Sequence, residues 1–358
     1  MKHIVLTGGG TAGHVTPNIA LLPGLRERGY QISYIGSYNG IEKELIEKTG
    51  VPYYGISSDK LRRYVDLKNL SDPFRVLKGI REARALMNRL NPDVVFSKGG
   101  FVAVPVIMAA GRKHIPIIAH ESDMTPGLAN KLCIPYADKI CCNFPETVRN
   151  LPEGKAVVTG SPLREELMKG SRERGLAFCG FDDSRPVLMI TGGSLGSVNV
   201  NTHMRAILPK LLPVFQIVHL CGRGNLDPAL DHTDGYRQFE YVSEEMPDLF
   251  AAADLIVSRA GANSICEISA LAKPNLLIPL SANASRGDQI LNARSYERQG
   301  FSKVLEEESL TDEVLLQTIL DLYKEKDSYT SAMKAAGQTD AVARILDLID
   351  AAAEARRH

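Results

Sequence analysis

The stretch that most constrains the fold is Val5-Leu6-Thr7-Gly8-Gly9-Gly10-Thr11-Ala12-Gly13-His14-Val15-Thr16-Pro17. Residues 4–6 read as a short buried strand, glycines then turn the backbone, and a helix starts at once. Thr16 is the expected N-cap, and Pro17 suits the first helical position because its missing N–H has no partner to lose there. A glycine turn feeding a helix start aims backbone N–H groups and the positive end of the helix dipole at one spot. Such a spot suits a phosphate or a developing anion. His14 is the ionisable side chain at its edge. The unit recurs half a chain later, where apolar residues 187–190 run into Thr191-Gly192-Gly193-Ser194-Leu195-Gly196-Ser197. A strand–Thr-Gly-Gly–helix unit that occurs twice predicts two similar α/β domains, each with a loop of the same kind.

The chain has 358 residues, more than one core usually organises, which also favours two domains. Strand-like and helix-like segments alternate, the pattern of parallel sheets covered by helices. In the first half, strands are expected near 31–37, 53–57, 94–97, 115–119, 139–142 and 156–159. Helices are expected near 17–29, 41–48, 73–90 and from about 126. Lys98-Gly99-Gly100-Phe101 forms a third glycine turn, and Gly160-Ser161-Pro162 reads as the domain joint. In the second half, strands are expected at 187–190, 215–220, 238–242, 254–258 and 275–278. Helices are expected at 199–212, 246–252, 263–272, 287–299 and 311–325, with a last helical stretch from 329 to 356 broken near Gly337.

Formal net charge is zero, so overall charge predicts no nucleic-acid partner. Charge is uneven, however: residues 60–89 hold nine Lys/Arg against Asp66, Asp72 and Glu82, with apolar residues threaded between them. A basic amphipathic face of this kind fits either an anionic membrane surface or a solvated helix packing its apolar side on the sheet. Six cysteines show no C-x-x-C spacing and lie mostly in apolar runs, which predicts buried free thiols in a reducing compartment. A strand starting at residue 3 leaves no room for a signal peptide, and no apolar run reaches membrane-span length. These features predict a cytoplasmic protein.

Gly8, Gly10 and Gly13 match G-x-G-x-x-G, the dinucleotide fingerprint. A dehydrogenase would also carry an acidic residue at the end of strand 2, and here that strand ends Ile35-Gly36-Ser37-Tyr38. In residues 254–267 a buried strand ends at Ser258-Arg259-Ala260-Gly261 and a helix opens around Ala262-Asn263-Ser264, another anion site. Glu267 lies one turn in, where it could accept from a ribose diol or simply complement the helix dipole. Asp288 and Gln289 offer groups that sugar hydroxyls require, or cap a helix. Arg164 could meet a pyrophosphate from the linker, or sit on the surface. His14 suits a general base for an alcohol. His120, beside Glu121, reads as structural. No histidine has metal-ligand spacing, there is no H-E-x-x-H, and no D-x-D of the kind that holds a metal on a nucleotide sugar. A departing pyrophosphate must then be met by helix dipoles, backbone N–H groups and cationic side chains.

Taken together, GGGTAGHVTP (8–17), SKGGF (97–101), HESDMTPGLANK (120–131), GSPLR (160–164), TGGSLGS (191–197), SRAGANSICE (258–267) and SRGDQILNA (285–293) resemble the MurG family of bacterial glycosyltransferases. These motifs stand in the family's order and span nearly the whole chain. The resemblance implies a GT-B fold: two Rossmann-like, doubly wound parallel-sheet domains facing across a cleft. It implies an N-terminal, acceptor- and membrane-facing domain over 1–162, with a final helix (about 340–358) packing back on it, and a donor-binding domain over 163–339. It implies inverting, metal-independent transfer of N-acetylglucosamine from UDP-GlcNAc to the 4-OH of undecaprenyl-pyrophosphoryl-MurNAc-pentapeptide, with no cofactor, at the cytoplasmic face of the membrane.

Carried over by motif, Thr11, Ala12 and Gly13 line the donor–acceptor side and His14 becomes the base. Arg164 and Ser194 would contact the diphosphate or sugar. Val242 and Ala262, Asn263, Ser264, Ile265, Cys266 and Glu267 would surround uracil and ribose. Gln289, with Asp288, would hold GlcNAc hydroxyls. Asp123 stands where many members have Asn, so no donor contact is carried over to it. The rival readings are a glycerolipid glycosyltransferase, a UDP-GlcNAc epimerase, an NAD-dependent oxidoreductase and a non-catalytic nucleotide-sugar module at the membrane.

Overall fold

The fold is taken from a computed structural model. It describes residues 1–58, 72–193, 196–283, 286–337 and 340–357, without the side chains of 72–76. The chain divides into two compact units, Met1–Arg164 with Thr339–His358, and Glu165–Gln338.

The first unit is built on a seven-stranded, wholly parallel sheet. Its strands are β1 (Lys2–Thr7), β2 (Tyr30–Ser37), β3 (Tyr53–Ile56), β4 (Val94–Ser97), β5 (Ile117–Glu121), β6 (Lys139–Cys142) and β7 (Ala156–Val158). They lie in the order β3-β2-β1-β4-β5-β6-β7. β1 pairs with both β2 and β4, so chain order reverses direction between β1 and β4. In doubly wound sheets ligands bind beyond the strand ends at such a switch point. Both glycine turns of this unit, after Thr7 and after Ser97, leave from it.

Parallel strands need crossover helices, which are α1 (Thr16–Glu27), α2 (Ile41–Glu47), α3 (Asp72–Leu90), α4 (Ala103–Gly111) and α5 (Leu128–Cys133). One face of the sheet buries Val5, Ile35 and Val95 against Ala83 and Met87 of α3 and the apolar α4. Basic residues of α3, including Lys78, Arg81 and Arg84, stand exposed with Leu77 on its outer side. The start of the basic segment, 60–71, lies outside the described residues.

The second unit repeats the plan with six parallel strands. They are β8 (Val187–Thr191), β9 (Gln216–Leu220), β10 (Tyr236–Phe239), β11 (Leu255–Ser258), β12 (Asn275–Leu277) and β13 (Lys303–Val304), in the order β10-β9-β8-β11-β12-β13. Its helices are α6 (Arg172–Cys179), α7 (Val198–Leu211), α8 (Met246–Ala252), α9 (Ala262–Ala270), α10 (Asp288–Arg298) and α11 (Asp312–Ala336). Its switch point falls between β8 and β11, where Thr191 and Ser258 are register partners. The glycine turn after β8 and the start of α9 both leave from that point.

Three local expectations are corrected. Thr16 does not cap α1: Val15 holds the cap position, and Thr16 Oγ1 donates back to the Ala12 carbonyl at 3.0 Å. A 3₁₀ turn over Ala12–His14 leads straight into the helix, so Thr16 is already its first residue and the Ile19 N–H goes to the Val15 carbonyl. The helical stretches expected at 311–325 and from 329 are one helix, α11, which ends where Gly337 takes a positive φ of 73°. Helices α4 and α6 were not expected; α4 is buried along nearly its whole length and so shows no amphipathic period.

The final helix α12 (Ala341–Arg357) packs back on the first unit. Ile345, Leu346, Ile349 and Ala353 join the core with Leu21, Leu25 and Phe96. Gly24 lets α1 and α12 approach; a Cβ there would meet Leu346 Cδ1 at 2.4 Å. A polar clasp rims this contact. Arg357 pairs with Asp93, while Asp350 accepts from Lys2, Arg28 and Tyr30. The six cysteines are buried and free, and burial pushes the thiols of Cys133, Cys141 and Cys179 up to about 12. Among the described residues no helix is long and apolar enough to cross a membrane.

The clasp gives the first unit a signed pH dependence. Arg357 holds Asp93 below its ordinary value. Burial pushes Asp350 up, but hydrogen bonds from Tyr30, Arg28 and Lys2 outweigh it and the net direction is down. Both native values lie below the unfolded one of about 3.9, so the contribution is complete above about pH 4 and is lost as pH falls through the native values. The unfolding temperature of the wild type is expected to drop more between about pH 6 and about pH 3 than that of Asp350→Asn. Parallel curves for the two proteins refute the clasp as a source of stability.

Candidate active site

At the first switch point the two glycine turns touch. A Cβ on Gly100, whose φ is +84°, would lie 2.3 Å from the Gly9 carbonyl oxygen, so only glycine permits the approach. His14 is half-buried, and its Nδ1 lies 2.9 Å from the Gly9 carbonyl and 3.3 Å from Thr11 Oγ1. A carbonyl can only accept, so Nδ1 carries the proton and the lone pair of the neutral ring is on Nε2. Thr11 is exposed and Ala12 and Gly13 half-buried. The turn differs from a simple phosphate cradle, because the N–H of Gly10 goes to Glu42 and those of His14 and Val15 to backbone carbonyls.

Beneath the second turn lies a buried polar group. Lys98 is 1% exposed, and its ammonium donates to His120 Nδ1 and to Ser122 Oγ, both at 2.7 Å. His120 Nε2 in turn donates to the Gly160 carbonyl at 3.0 Å. Burial and the neighbouring ammonium keep His120 neutral, well below its ordinary value. The histidine read as structural is thus a pin between β5 and the segment that leads to Arg164. Burial pushes Glu121 up, although it accepts from Asn130 and the N–H groups of Asp123 and Gly127. Asp123 therefore contributes its backbone to this network.

In the second unit the turn after β8 closes with Gly196 at φ +71°, and a Cβ there would lie 2.0 Å from the Cys221 carbonyl oxygen. Ser197 caps α7, accepting from the Val200 N–H at 3.3 Å. Ser194 lies outside the described residues.

Arg259, at the end of β11, is the organising cation. It donates to Ser197 Oγ at 2.7 Å, to Glu307 Oε1 at 2.6 Å and to the carbonyls of Ile278 and Pro279. Glu307 also accepts from Asn199 and from the Ser281 N–H. Burial pushes Glu307 up, but Arg259 and these donors outweigh it and hold the carboxylate low. One ion pair therefore ties the glycine turn to the loop after β12. Sequence reasoning missed it because Glu307 stands 48 residues from Arg259 with nothing local to mark it.

The remaining expected residues of this unit follow the neighbouring strands β11 and β12, except Val242, which follows β10. α9 opens at Ala262, with Gly261 at the cap and no side-chain cap. Ala262, Ile265 and Cys266 are buried, whereas Asn263, Ser264 and Glu267 are half-buried. Gln289 accepts from the Leu280 N–H through Oε1 at 3.0 Å, and its amide NH₂ is the donor end of the side chain. Asp288 pairs with Arg286 at 2.6 Å. Val242 falls after β10 rather than in it and is buried with Val218, Leu220 and Leu249. Arg164 belongs to the first unit, half-buried at its end. Among the described residues no three His, Cys, Asp or Glu side chains gather where they could hold a metal ion.

Removing Glu307 should leave the Arg259 cation buried without its carboxylate. Glu307→Ala is expected to destabilise the second unit by about 3 kcal/mol in urea unfolding. A loss under about 0.5 kcal/mol would show that the pair does not organise these loops.

Comparison with known proteins agrees with this geometry. The glycosyltransferase family 28 N-terminal domain matches residues 4–142, and the glycosyltransferase family 28 C-terminal domain matches residues 187–349. The chain is 62% identical to the UDP-N-acetylglucosamine–N-acetylmuramyl-(pentapeptide) pyrophosphoryl-undecaprenol N-acetylglucosamine transferase of Lachnoclostridium phytofermentans, over 98% of this chain and 99% of that protein. It is 56% identical to the transferase of the same name from Clostridium perfringens, over 97% of each. Among solved structures it is similar to Acinetobacter baumannii MurG, with a TM-score of 0.78 at 28% identity over 98% of this chain and 99% of that one. A UDP-GlcNAc 2-epimerase from Neisseria meningitidis shares the fold at a TM-score of 0.69 and 15% identity, covering 97% of this chain and 99% of that one. With both family domains matched and relatives this similar along their whole length, the chain belongs to the MurG family of glycosyltransferases.

Proposed function

We propose that this enzyme transfers N-acetylglucosamine from UDP-GlcNAc to the 4-OH of lipid-linked N-acetylmuramyl-pentapeptide in peptidoglycan synthesis. The observation that carries the chemistry is the Nδ1 hydrogen bond of His14, which leaves Nε2 as the basic nitrogen at the first switch point. His14 Nε2 takes the 4-OH proton as that oxygen bonds to the anomeric carbon of GlcNAc. The bond from that carbon to the diphosphate breaks, its electron pair leaves with UDP, and a single displacement inverts the centre.

The leaving diphosphate is met by the start of α9, the turn after β8 with Ser194, and Arg164. Fixed dipoles and cations supply the charge stabilisation, so the reading needs no metal ion. Glu267 accepts from the ribose diol, and Asn263, Ser264 and the backbone at Ala262, Ile265, Cys266 and Val242 surround the uridine. Gln289 and Asp288 hold sugar hydroxyls, while Thr11, Ala12 and Gly13 line the sugar side. The first unit takes the acceptor and the second the donor.

UDP release is expected only when donor and lipid-linked acceptor are both present, undiminished by EDTA. Release without acceptor would favour hydrolysis or epimerisation and overturn the reading. His14→Ala should lower kcat by about a hundred-fold or more while UDP-GlcNAc still binds. Glu267→Ala should raise KM for UDP-GlcNAc by about ten-fold or more, the scale of a hydrogen bond to a charged group. Full turnover by His14→Ala would remove it as the base.

The basic, partly apolar segment over 60–89 is the part of this reading that meets the membrane, as a peripheral contact at its cytoplasmic face. The exposed cations of α3 support it. Co-sedimentation with anionic vesicles is expected and should weaken as salt is raised. Equal binding to neutral vesicles would argue against an electrostatic contact.

A further inference from the structure

Glu42 is fully buried although it lies on the short helix α2. Three glycines, Gly36 and Gly40 close by and Gly9 from the first turn, make its space. A Cβ at Gly9 would lie 2.5 Å from Glu42 Cδ, one at Gly40 2.2 Å from Glu42 Oε1, and one at Gly36 2.8 Å from Glu42 Cγ. Oε1 accepts from the Ser37 N–H at 3.0 Å and the Ser37 hydroxyl at 2.5 Å, and Oε2 accepts from the Gly10 N–H at 3.1 Å. Both oxygens accept, the pattern of an ionised carboxylate.

The Gly10 N–H and the Gly9 carbonyl are the two ends of one peptide unit. In a trans peptide these groups point in opposite directions. The carbonyl end accepts from His14 Nδ1 at 2.9 Å. A carboxylate, a peptide and an imidazole therefore stand in one line of hydrogen bonds. Linked hydrogen bonds polarise one another, so a negative charge at the N–H end makes the carbonyl a stronger acceptor.

We propose that Glu42 is a positioning residue for His14, acting through the Gly9–Gly10 peptide. It fixes the ring with Nδ1 protonated and stabilises the imidazolium that forms when Nε2 takes a proton. The aspartate of a Ser-His-Asp triad does this by direct contact; here the peptide carries the effect. The inference rests on the reading of His14 as the base.

The other charged and titratable groups described around the turn have partners of their own. Lys98, at the end of β4, directs its ammonium to His120 and Ser122. Tyr34 of β2 donates to the Gly8 carbonyl and Tyr53 of β3 to the Ser37 carbonyl. Burial raises both phenols, so they stay neutral. From α1 the uncharged amide of Asn18 donates to the Thr7 and His14 carbonyls.

The test uses the full chain labelled with ¹⁵N at His and Gly. Glu42→Gln keeps the shape and removes the charge. The His14 pKa, read by NMR, is expected to fall by about half a unit or more, because the imidazolium loses its support. The value of kcat should fall about ten-fold, the scale at which partners that orient a histidine act, with KM for UDP-GlcNAc held within about two-fold. Added to His14→Ala, the change should slow turnover no further, because the two act as a unit.

Should Glu42→Gln fail to fold, the wild-type protein still decides the matter. The Gly10 amide signal should titrate with the His14 midpoint as the relay tightens. A Gly10 signal that ignores His14, or a His14 pKa unmoved in Glu42→Gln, overturns the relay. Full turnover by His14→Ala would instead remove the base and the reading beneath it, so the two failures are told apart.

Discussion

The glycine turns at both switch points depend on backbones that touch without side chains between them. At the first switch point the Gly9 carbonyl lies where a Gly100 side chain would begin, and in the second unit Gly196 stands in the same relation to Cys221. These approaches bring the strand ends close enough for one turn to shape the next. A methyl group at either place would push the turns apart, and with them His14 or the start of α7. The parallel sheets supply the rigid base; the missing Cβ atoms set the positions at its edge.

Buried charge then locks those positions, differently in each unit. In the first, Glu42 and Lys98 are both hidden under glycine turns and are met mainly by neutral donors and acceptors. In the second, Arg259 and Glu307 form an ion pair that also satisfies two carbonyls and a backbone N–H. Desolvating such groups is costly, and an orphaned partner costs more than the pair returns. The same residues are therefore sensitive points for stability and for site geometry at once. In the proposed chemistry, the first unit's carboxylate acts on a base and the second unit's cation on the loops that receive an anion.

Much of this was legible in the chain, and what was not has identifiable causes. Repeated strand–glycine–helix units gave the two sheets, because the period and the turn chemistry are local signals. The start of α9, with Glu267 one turn inside it, falls where the motif put it. Glu42 was invisible: in Ile41-Glu42-Lys43-Glu44 it looks like one of several exposed helix charges, and only glycines at 9, 36 and 40 bury it. The Thr16 cap misled because a 3₁₀ turn runs straight into the helix and makes Thr16 its first residue. Arg259 was seen as part of a motif but not as an ion-pair partner, since its carboxylate lies far along the chain.

The path of α12 has a consequence for how the first unit comes into being. Its core includes Ile345, Leu346 and Ile349, yet residue 164 closes the rest of that unit and the whole second unit is made in between. At ribosomal speeds of about 5–20 residues per second, the first unit waits on the order of ten to forty seconds with an apolar groove beside α1 uncovered. In topological terms the second unit is an insertion within the first. The nascent first unit therefore cannot close its core until the whole second unit has been made.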